Sequence, residues 1–305
     1  MNEILGKSSL VSEDLLKNLE IMLVIPMNIL ISMTGTVANV FNVTILARLG
    51  FKQSMNYGTM ALSLTDLMVS SLQFTSEICL VLNYALEDSA IDFVALGGFC
   101  IGWMRYAGLY ISGWITALIA TERCFCVVFP FHVKHICSKS IYTLILIVIY
   151  SFYLGFVIPI IVIERLTWQQ VPASTANNSS VKYILTVVVD DTVIELKKLF
   201  DSVCVSGFAL FSQIILIIST LYMAHALRES SKVRTSFNTK LPLEESKRRP
   251  SFLSLKEKRL IVVAVRLAVI ILACSVPRYI VIALFATMPT LQTKENLTFS
   301  YFLFD

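Results

Sequence analysis

Charged residues are scarce in this chain of 305 residues. They make up 15% of the sequence, whereas hydrophobic residues make up 56%, and the mean hydropathy is +0.75. Water-soluble domains average about 25% charged residues. This composition excludes a water-soluble fold and indicates a membrane protein, in which the length does not set a number of separate cores.

The cysteines and histidines of this chain are not arranged for a disulfide scaffold, a metal site or catalysis. The seven cysteines lie mostly in or beside apolar segments, which excludes a small disulfide scaffold. Cys124 and Cys126 are two residues apart on a predicted helix and face apart, which argues against a zinc site. The three histidines offer no catalytic arrangement, so we predict that the protein is not an enzyme. Residues 1–19 lack a basic start followed by an apolar core, so we do not expect them to be a cleavable signal peptide.

Long apolar runs are what the sequence does contain. A helix needs about 20 residues to cross the ~30 Å hydrocarbon core, and an open strand would leave its backbone unpaired in lipid. Residues 21–305 are therefore predicted to form one all-α membrane domain. Six stretches are long enough to be transmembrane helices, here called spans 1 to 6: 21–46, 57–82, 99–128, 141–163, 199–227 and 260–284.

The basic residues predict how these spans are oriented. Fifteen lysines and arginines lie in the segments after spans 1, 3 and 5, against seven on the opposite side. The positive-inside rule then places the N-terminal tail, residues 1–20, outside the cell and makes 228–259 a basic inner loop that faces anionic lipid and an effector. Three Asn-x-Ser/Thr sites in predicted outer segments are candidate glycosylation sites: Asn177, Asn178 and Asn296.

Span 3 ends in an adjacent acid and base. Glu122-Arg123 follows an uncharged run from 106 to 121, and Pro130 comes seven residues after the arginine. Glu257 precedes Pro277 by twenty residues, about 30 Å of helix. This distance places Glu257 at the inner end of span 6, level with Arg123, while Pro277 removes a backbone donor and kinks the span.

These features resemble the rhodopsin-like (class A) G-protein-coupled receptors. Glu122-Arg123-Cys124 is similar to the Asp/Glu-Arg-Tyr end of their third helix, and Cys274-Ser-Val-Pro277 is similar to the Cys-Trp-x-Pro bend of their sixth. The resemblance implies a seven-transmembrane helix bundle, of which this chain holds six complete spans and, in 299–304, the beginning of the seventh. We therefore expect the chain to be truncated there.

The resemblance also implies a switch, in which Arg123 leaves Glu257 as span 6 swings outward. The alternative is two solvated charges, worth only about 0–1 kcal/mol. The residues predicted to form the switch and to couple it to a G protein are Glu122, Arg123, Cys124, Pro130, Tyr222, Glu257 and Pro277.

A carboxylate lies in the middle of span 2. Burying Asp66 in a membrane is costly and marks a cation site, a proton site or a polar contact between helices. With Asn39 of span 1 and Ser112 of span 3, it resembles the sodium pocket of these receptors. The alternative is a hydrogen-bonded cluster without an ion. Both interpretations remain open, and no other cofactor is expected.

Two arginines are predicted in the outer third of the bundle. Arg105 precedes Arg123 by 18 residues, ~27 Å, and Arg278 follows Glu257 by 21 residues, ~32 Å. They could grip a carboxylate, a phosphate or a peptide C-terminus; alternatively, Arg105 forms a structural pair with Glu77 of span 2 while Arg278 extends outward. Under either interpretation these arginines would have aromatic walls: Trp103, Tyr106 and Tyr279.

Shorter motifs suggest a subfamily. The segments that begin Ala38-Asn39, Gly50-Phe51 and Trp114-Ile115 resemble molluscan and other invertebrate chemosensory receptors and FMRFamide-type peptide receptors. We predict a plasma-membrane receptor that binds an extracellular peptide or a small, anionic chemosensory molecule and activates a heterotrimeric G protein, with no nucleic-acid partner. The alternatives are a multi-span solute transporter, although no internal repeat supports one, and a non-signalling receptor fragment.

Two departures from the family pattern limit the analogy. Ser275 stands in place of the tryptophan of the sixth-helix bend, so a switch based on that ring is not assumed. The family usually joins a cysteine at the top of helix three to one in the second outer loop. Here Cys100 is about two residues late and 164–198 contains no cysteine, so this disulfide is expected to be absent or differently paired.

Overall fold

The computed structural model describes residues 13–50, 54–86, 89–129, 138–172, 181–188 and 190–238, together with positions 266, 269, 270 and 273. Spans 1 to 5 therefore lie within the described residues. Predicted span 6, apart from those four positions, and the predicted start of a seventh helix lie outside them.

The described spans are helical, and spans 1, 3 and 5 each include a π-helical stretch. Span 1 comprises α1 (Glu13–Leu19), a π-helical turn (Glu20–Val24) and α2 (Ile25–Leu49). Span 2 is α3 (Ser54–Ala85). Span 3 comprises α4 (Phe93–Gly97), a π-helical turn (Gly98–Gly102) and α5 (Trp103–Val128). Span 4 is α6 (Lys139–Ile163), and span 5 comprises α7 (Asp191–Phe200), a π-helical stretch (Asp201–Phe208) and α8 (Ala209–Asn238).

Local sequence explains several helix ends. The Asp92 side chain accepts a hydrogen bond from the Ala95 N–H at 2.9 Å and caps the start of span 3. Ser138 caps α6 in the same way. Gly50 ends α2 with a φ of 73°, a conformation that favours glycine. These are the short polar and glycine residues that helix termini prefer.

Four of the described helices are long and apolar enough to cross a membrane: Lys17–Leu49, Phe93–Val128, Lys139–Ile163 and Thr192–Ala226. They correspond to spans 1, 3, 4 and 5. The 32-residue α3 is also long enough but carries more polar side chains, among them Asp66, Gln73 and Glu77, which bond to side chains of its own or neighbouring helices. Large apolar residues such as Val162 and Leu221 remain exposed, as lipid-facing side chains are.

The core lies where span 3 meets spans 4 and 5. Ile115 of α5 and Val157 of α6 are fully buried. Tyr110 stacks on Tyr153 with ring centroids 6.1 Å apart, and the edge of Phe200 packs against Tyr110 at 6.3 Å. Span 3 also contacts span 2. Span 3 therefore packs against three described spans. A movement of one of its ends would displace side chains of these neighbours.

A β-hairpin connects spans 4 and 5. Strands β1 (Arg165–Pro172) and β2 (Val181–Val188) pair antiparallel with Arg165 opposite Val188. Leu185 of β2 also forms backbone hydrogen bonds with the segment between spans 2 and 3, here called the 2–3 connection. It donates to Ala90 at 2.8 Å and accepts from Asp92 at 3.1 Å. The hairpin was not predicted, and it corrects the all-α description for this connection, although the spans themselves are helical. The end of the bundle that carries it is called the hairpin end below.

Span 5 is longer than the predicted 199–227. It begins at Asp191, and α8 continues to Asn238, so the first part of the predicted inner loop 228–259 is helical. Residues 228–238 are polar but contain neither glycine nor proline, so nothing in them breaks a helix that leaves the membrane. Hydropathy marks the limits of the apolar segment and not the end of the helix.

Candidate functional site

A hydrogen-bonded network joins spans 1, 2 and 3 toward the hairpin end. We call Asn28, Gln73, Glu77 and Arg105 the polar network. Glu77 Oε1 accepts hydrogen bonds from Asn28 Nδ2 at 3.0 Å and from Gln73 Nε2 at 2.6 Å. Gln73 Oε1 accepts in turn from Arg105 Nη1. Gln73 and Glu77 are four residues apart on α3 and share a helix face, which lets one carboxamide lie between a carboxylate and a guanidinium.

Two buried side-chain atoms of the polar network have no hydrogen-bond partner. Glu77 is only 5% exposed, and its Oε2 is unpaired, as is the buried Nε of Arg105. The guanidinium carbon of Arg105 lies 4.7 Å from the centre of the Tyr106 ring, a cation–π contact. Because an unpaired buried polar atom costs about 1–3 kcal/mol, a hydrogen-bond partner for either atom would stabilise the receptor state that provides it.

Trp103 lies in a second cluster, also at the hairpin end. Its Nε1 donates to Glu164 Oε2 at 3.0 Å, and Glu164 Oε1 forms an ion pair with Lys197 Nζ at 2.7 Å. Lys197 Nζ lies 5.0 Å from the Trp103 ring centre. We call these three residues the Trp103 cluster. It joins spans 3, 4 and 5, so Trp103 has a structural role beyond the aromatic wall predicted for it.

Asp66 and Ser112 are brought together, as the predicted sodium pocket requires, but Asn39 does not join them. Ser112 Oγ donates to Asp66 Oδ1 at 2.5 Å between spans 2 and 3. The side chain of Asn39 instead accepts a long hydrogen bond of 3.5 Å from Asn42, one turn further along span 1. Two of the three predicted pocket residues therefore form one contact, and the third lies in a local contact of its own helix.

The acid and base at the other end of span 3 occupy different environments. Glu122 and Cys124 are buried, whereas Arg123 is partly exposed and has no ion-pair partner among the described residues. The hydroxyl groups of Thr121 and Ser219 lie 3.1 Å apart and join this turn to α8. Tyr222 is 56% exposed on the outside of α8. No hydrogen bond joins it to a described residue, so the structure does not bring it to Arg123.

Several predicted site residues lie outside the described part of the chain. They are Pro130, Glu257, Pro277, Arg278, Tyr279, Asn177, Asn178 and Asn296.

Most of the sequence matches the model of a known family. The model of the family "7 transmembrane receptor (rhodopsin family)" matches residues 39–305. The chain belongs to this family. It is therefore a multi-pass membrane receptor built on a seven-helix bundle, and members of the family are in general not enzymes. No curated protein matches the chain.

Sequence reasoning missed four residues that this rhodopsin-family receptor uses to join its spans. Gln73 could have been found, because it lies one turn before Glu77 on the same helix face. Asn28 is 49 residues from Glu77 and has no local signal. The pairing of Glu164 with Lys197 has no local signal either, because it depends on how spans 4 and 5 pack.

Four of the receptor's described cysteines are free thiols: Cys79, Cys100, Cys124 and Cys126. The hairpin contributes no cysteine, and its contact with the 2–3 connection is made instead by the backbone hydrogen bonds of Leu185.

Proposed function

We propose that this rhodopsin-family protein is a plasma-membrane receptor that has its N-terminus and hairpin end outside the cell, binds an extracellular ligand and activates a heterotrimeric G protein. The observation that supports it is the polar network, a buried and incompletely paired site that joins three spans near the predicted outer face. The same span 3 carries Glu122-Arg123 at the opposite end. The family match favours this function over the solute transporter.

The proposed ligand is a peptide or a small molecule, of the invertebrate chemosensory or FMRFamide-related type that the short sequence motifs suggest. Arg105, Glu77 and Tyr106 would contact it, with Arg278 and Tyr279 contributing from span 6. A ligand can shift a receptor only through different affinities for its two states. A ligand that provides hydrogen-bond partners for the two unpaired atoms of Glu77 and Arg105 would supply such a difference in affinity, at the boundary of spans 1, 2 and 3.

Span 3 connects the proposed ligand site with the proposed switch. Arg105 and Arg123 are 18 residues apart on one helix, ~27 Å. Near the second of these arginines, the Thr121–Ser219 contact joins span 3 to span 5. Displacement of span 3 against span 5 and release of Arg123 from Glu257 would open an inner cleft for the G protein, a rigid-body transition of packed helices.

Arg123→Ala is expected to abolish activation of the G protein while leaving ligand binding intact. The experiment measures guanine-nucleotide exchange on heterotrimeric G proteins in vesicles that contain the purified protein. Arg48→Ala is the matched control, because Arg48 is an exposed arginine at the same end of the bundle, in the last turn of α2. Equal rates of nucleotide exchange with the two variants and with the unmodified protein would contradict the proposed function.

Sodium is proposed to bind at Asp66 and Ser112, without a required contribution from Asn39. When the concentration of a cation is ten times its Kd, its binding stabilises the folded state by about 1.4 kcal/mol. We expect NaCl to raise the melting temperature relative to KCl at equal ionic strength, Asp66→Asn to remove the difference, and Asn39→Ala to keep it. If Asp66→Asn responds to sodium like the unmodified protein, the contact is only a hydrogen bond between helices.

A further inference from the structure

Two cysteines lie where the end of span 2 packs against the start of span 3. Cys79 is in the last two turns of α3, and Cys100 is in the π-helical turn that follows α4. Their thiols are close enough to interact electrostatically. Both belong to the hairpin end of the bundle, and neither takes part in the polar network or in the Trp103 cluster. The proposed function therefore leaves this pair without a role.

The surroundings of Gly97 show how closely the two spans approach each other. A Cβ added to Gly97 would lie 3.1 Å from Cβ and 3.2 Å from Sγ of Cys79. Cys100 follows Gly97 by three residues, about one turn, and therefore shares its helix face. A second contact joins the same two segments, since Asn83 Oδ1 accepts a hydrogen bond from the Phe93 N–H at 3.2 Å. The helix face that carries Cys100 thus lies against the Cys79 side chain.

The two cysteines are within reach of a disulfide. Cβ atoms one turn apart on a helix are about 5–6 Å from each other, so the Cys100 Cβ is at most ~9 Å from the Cys79 Cβ, and a disulfide needs about 3.5–4.5 Å. Gly98 and Gly102 flank Cys100 and give its backbone the freedom to close the remaining distance. We propose that Cys79 and Cys100 form a disulfide in the mature receptor and that the free thiols of this structure are its reduced form. The inference rests on the proposed orientation, which places the hairpin end in the oxidising space outside the cell.

The other described cysteines are less suitable partners. Cys204 is fully buried in the core that span 3 forms with spans 4 and 5, whereas Cys79 and Cys100 lie between spans 2 and 3. Cys124 and Cys126 are in the last two turns of α5, at the end that faces the reducing cytosol in the proposed orientation. Among the described residues, Cys79 is therefore the partner that the structure offers to Cys100.

The disulfide forms by exchange with an oxidant of a defined class, a disulfide-bearing oxidoreductase of the secretory pathway. Cys100, which is exposed, loses its proton, and its thiolate attacks the disulfide of the oxidoreductase. This step leaves a mixed disulfide and releases one thiolate of that enzyme. The Cys79 thiolate then attacks the Cys100 sulfur and displaces the second thiolate of the enzyme. The receptor has given up two protons and two electrons, and the oxidoreductase leaves as a dithiol.

This disulfide would fix the segment to which the hairpin is bonded. It closes residues 79–100 into a covalent loop that contains the 2–3 connection. Ala90 and Asp92 of that connection hold the hairpin through the backbone of Leu185. The hairpin, which has no cysteine of its own, would thus be tied to span 3 indirectly, by hydrogen bonds to a connection that the disulfide joins to the start of that span.

One tryptic peptide decides whether the bond exists. Cleavage after Lys52 and after Arg105 releases residues 53–105, which contain Cys79 and Cys100 and no other cysteine. The full chain is produced in eukaryotic cells, denatured with N-ethylmaleimide present and no reductant, digested and measured by mass spectrometry. We expect the peptide to carry no maleimide and to be lighter than the dithiol by two hydrogen atoms. A peptide that carries a maleimide, or that is joined to another peptide, would overturn the inference.

Cys79→Ser tests the pairing and the orientation together. A membrane-impermeant maleimide on intact cells should leave Cys100 of the unmodified protein unlabelled, because the disulfide consumes its thiol, and should label Cys100 in Cys79→Ser. The label is read on the same tryptic peptide. Cys126→Ser is the matched control, since Cys126 is also an exposed cysteine but lies at the opposite end of span 3; it should behave like the unmodified protein.

The outcomes separate the inference from the proposed function. Labelling of the unmodified protein at the level of Cys79→Ser contradicts the disulfide alone. Labelling of Cys79→Ser only after the cells are permeabilised contradicts the proposed orientation, and with it the receptor mechanism. If Cys79→Ser does not reach the cell surface, the peptide from the unmodified protein still decides. Neither readout contains a G protein, so a receptor that fails to drive nucleotide exchange can still show the disulfide.

Discussion

Gly58→Ala is expected to lower the melting temperature of the protein markedly. Gly58 is buried in the first turns of α3 against span 4. A Cβ added there would overlap the hydroxyl group of Tyr142 and lie 2.6 Å from its Cζ and 2.9 Å from its Cε1. Tyr142 is itself fully buried in α6, so the rigid ring has little room to move. Overpacking of this kind costs about 1–3 kcal/mol.

Gly113→Ala is the matched control. It is the same substitution within a helix, and a Cβ at Gly113 meets nothing within 4 Å. Since alanine is favoured over glycine by about 1 kcal/mol in a helix interior, this variant should be as stable as the unmodified protein or slightly more so. Thermal unfolding of both purified variants in detergent, with surface expression as a second readout, makes the comparison. Equal melting temperatures would show that spans 2 and 4 do not approach closely at Gly58.

The helical spans could be predicted because lipid leaves the backbone few choices. An apolar run long enough to cross the bilayer must satisfy its own hydrogen bonds, and a helix does so without reference to the rest of the chain. The hairpin could not be predicted in this way. Its pairing of Arg165–Pro172 with Val181–Val188 lies outside the apolar runs, and part of its stability comes from the 2–3 connection, which is distant in sequence.

The positions of site residues could be predicted from the sequence where they depend on a single helix. Counting residues along span 3 placed Arg105 and Arg123 at opposite ends of the same helix, and helical periodicity placed Glu77 in the same half of the bundle as Arg105. Rotation of one helix against another is not contained in such counts. The family resemblance assigned Asn39 of span 1 to Asp66, whereas Asn28 of the same span is the residue whose side chain bonds to Glu77 of span 2.

Lys197→Ala is expected to be the most destabilising of the charge substitutions. Lys197 forms the ion pair with Glu164, whose side chain is only 3% exposed. Without it, the carboxylate keeps the Trp103 N–H as its one described partner, and the contact of the ammonium group with the Trp103 ring is lost as well. Removing one partner of a fully buried pair costs about 3–5 kcal/mol because the remaining charge is uncompensated. The Lys197 side chain is 28% exposed, so the loss should lie below that range and above the value of a surface pair. The measurement is the melting temperature of the purified variant.

The neighbouring residue provides a control with the same chemistry. Lys198 pairs with Glu195 at 2.8 Å, but the two side chains are 67% and 73% exposed, and a surface pair is worth only about 0–1 kcal/mol. Lys198→Ala should therefore change the melting temperature little. Adding Glu164→Gln to Lys197→Ala removes the stranded charge, so the double variant should recover part of the loss. If it recovers nothing and the two lysine variants unfold alike, the Trp103 cluster does not hold spans 3, 4 and 5 together by charge.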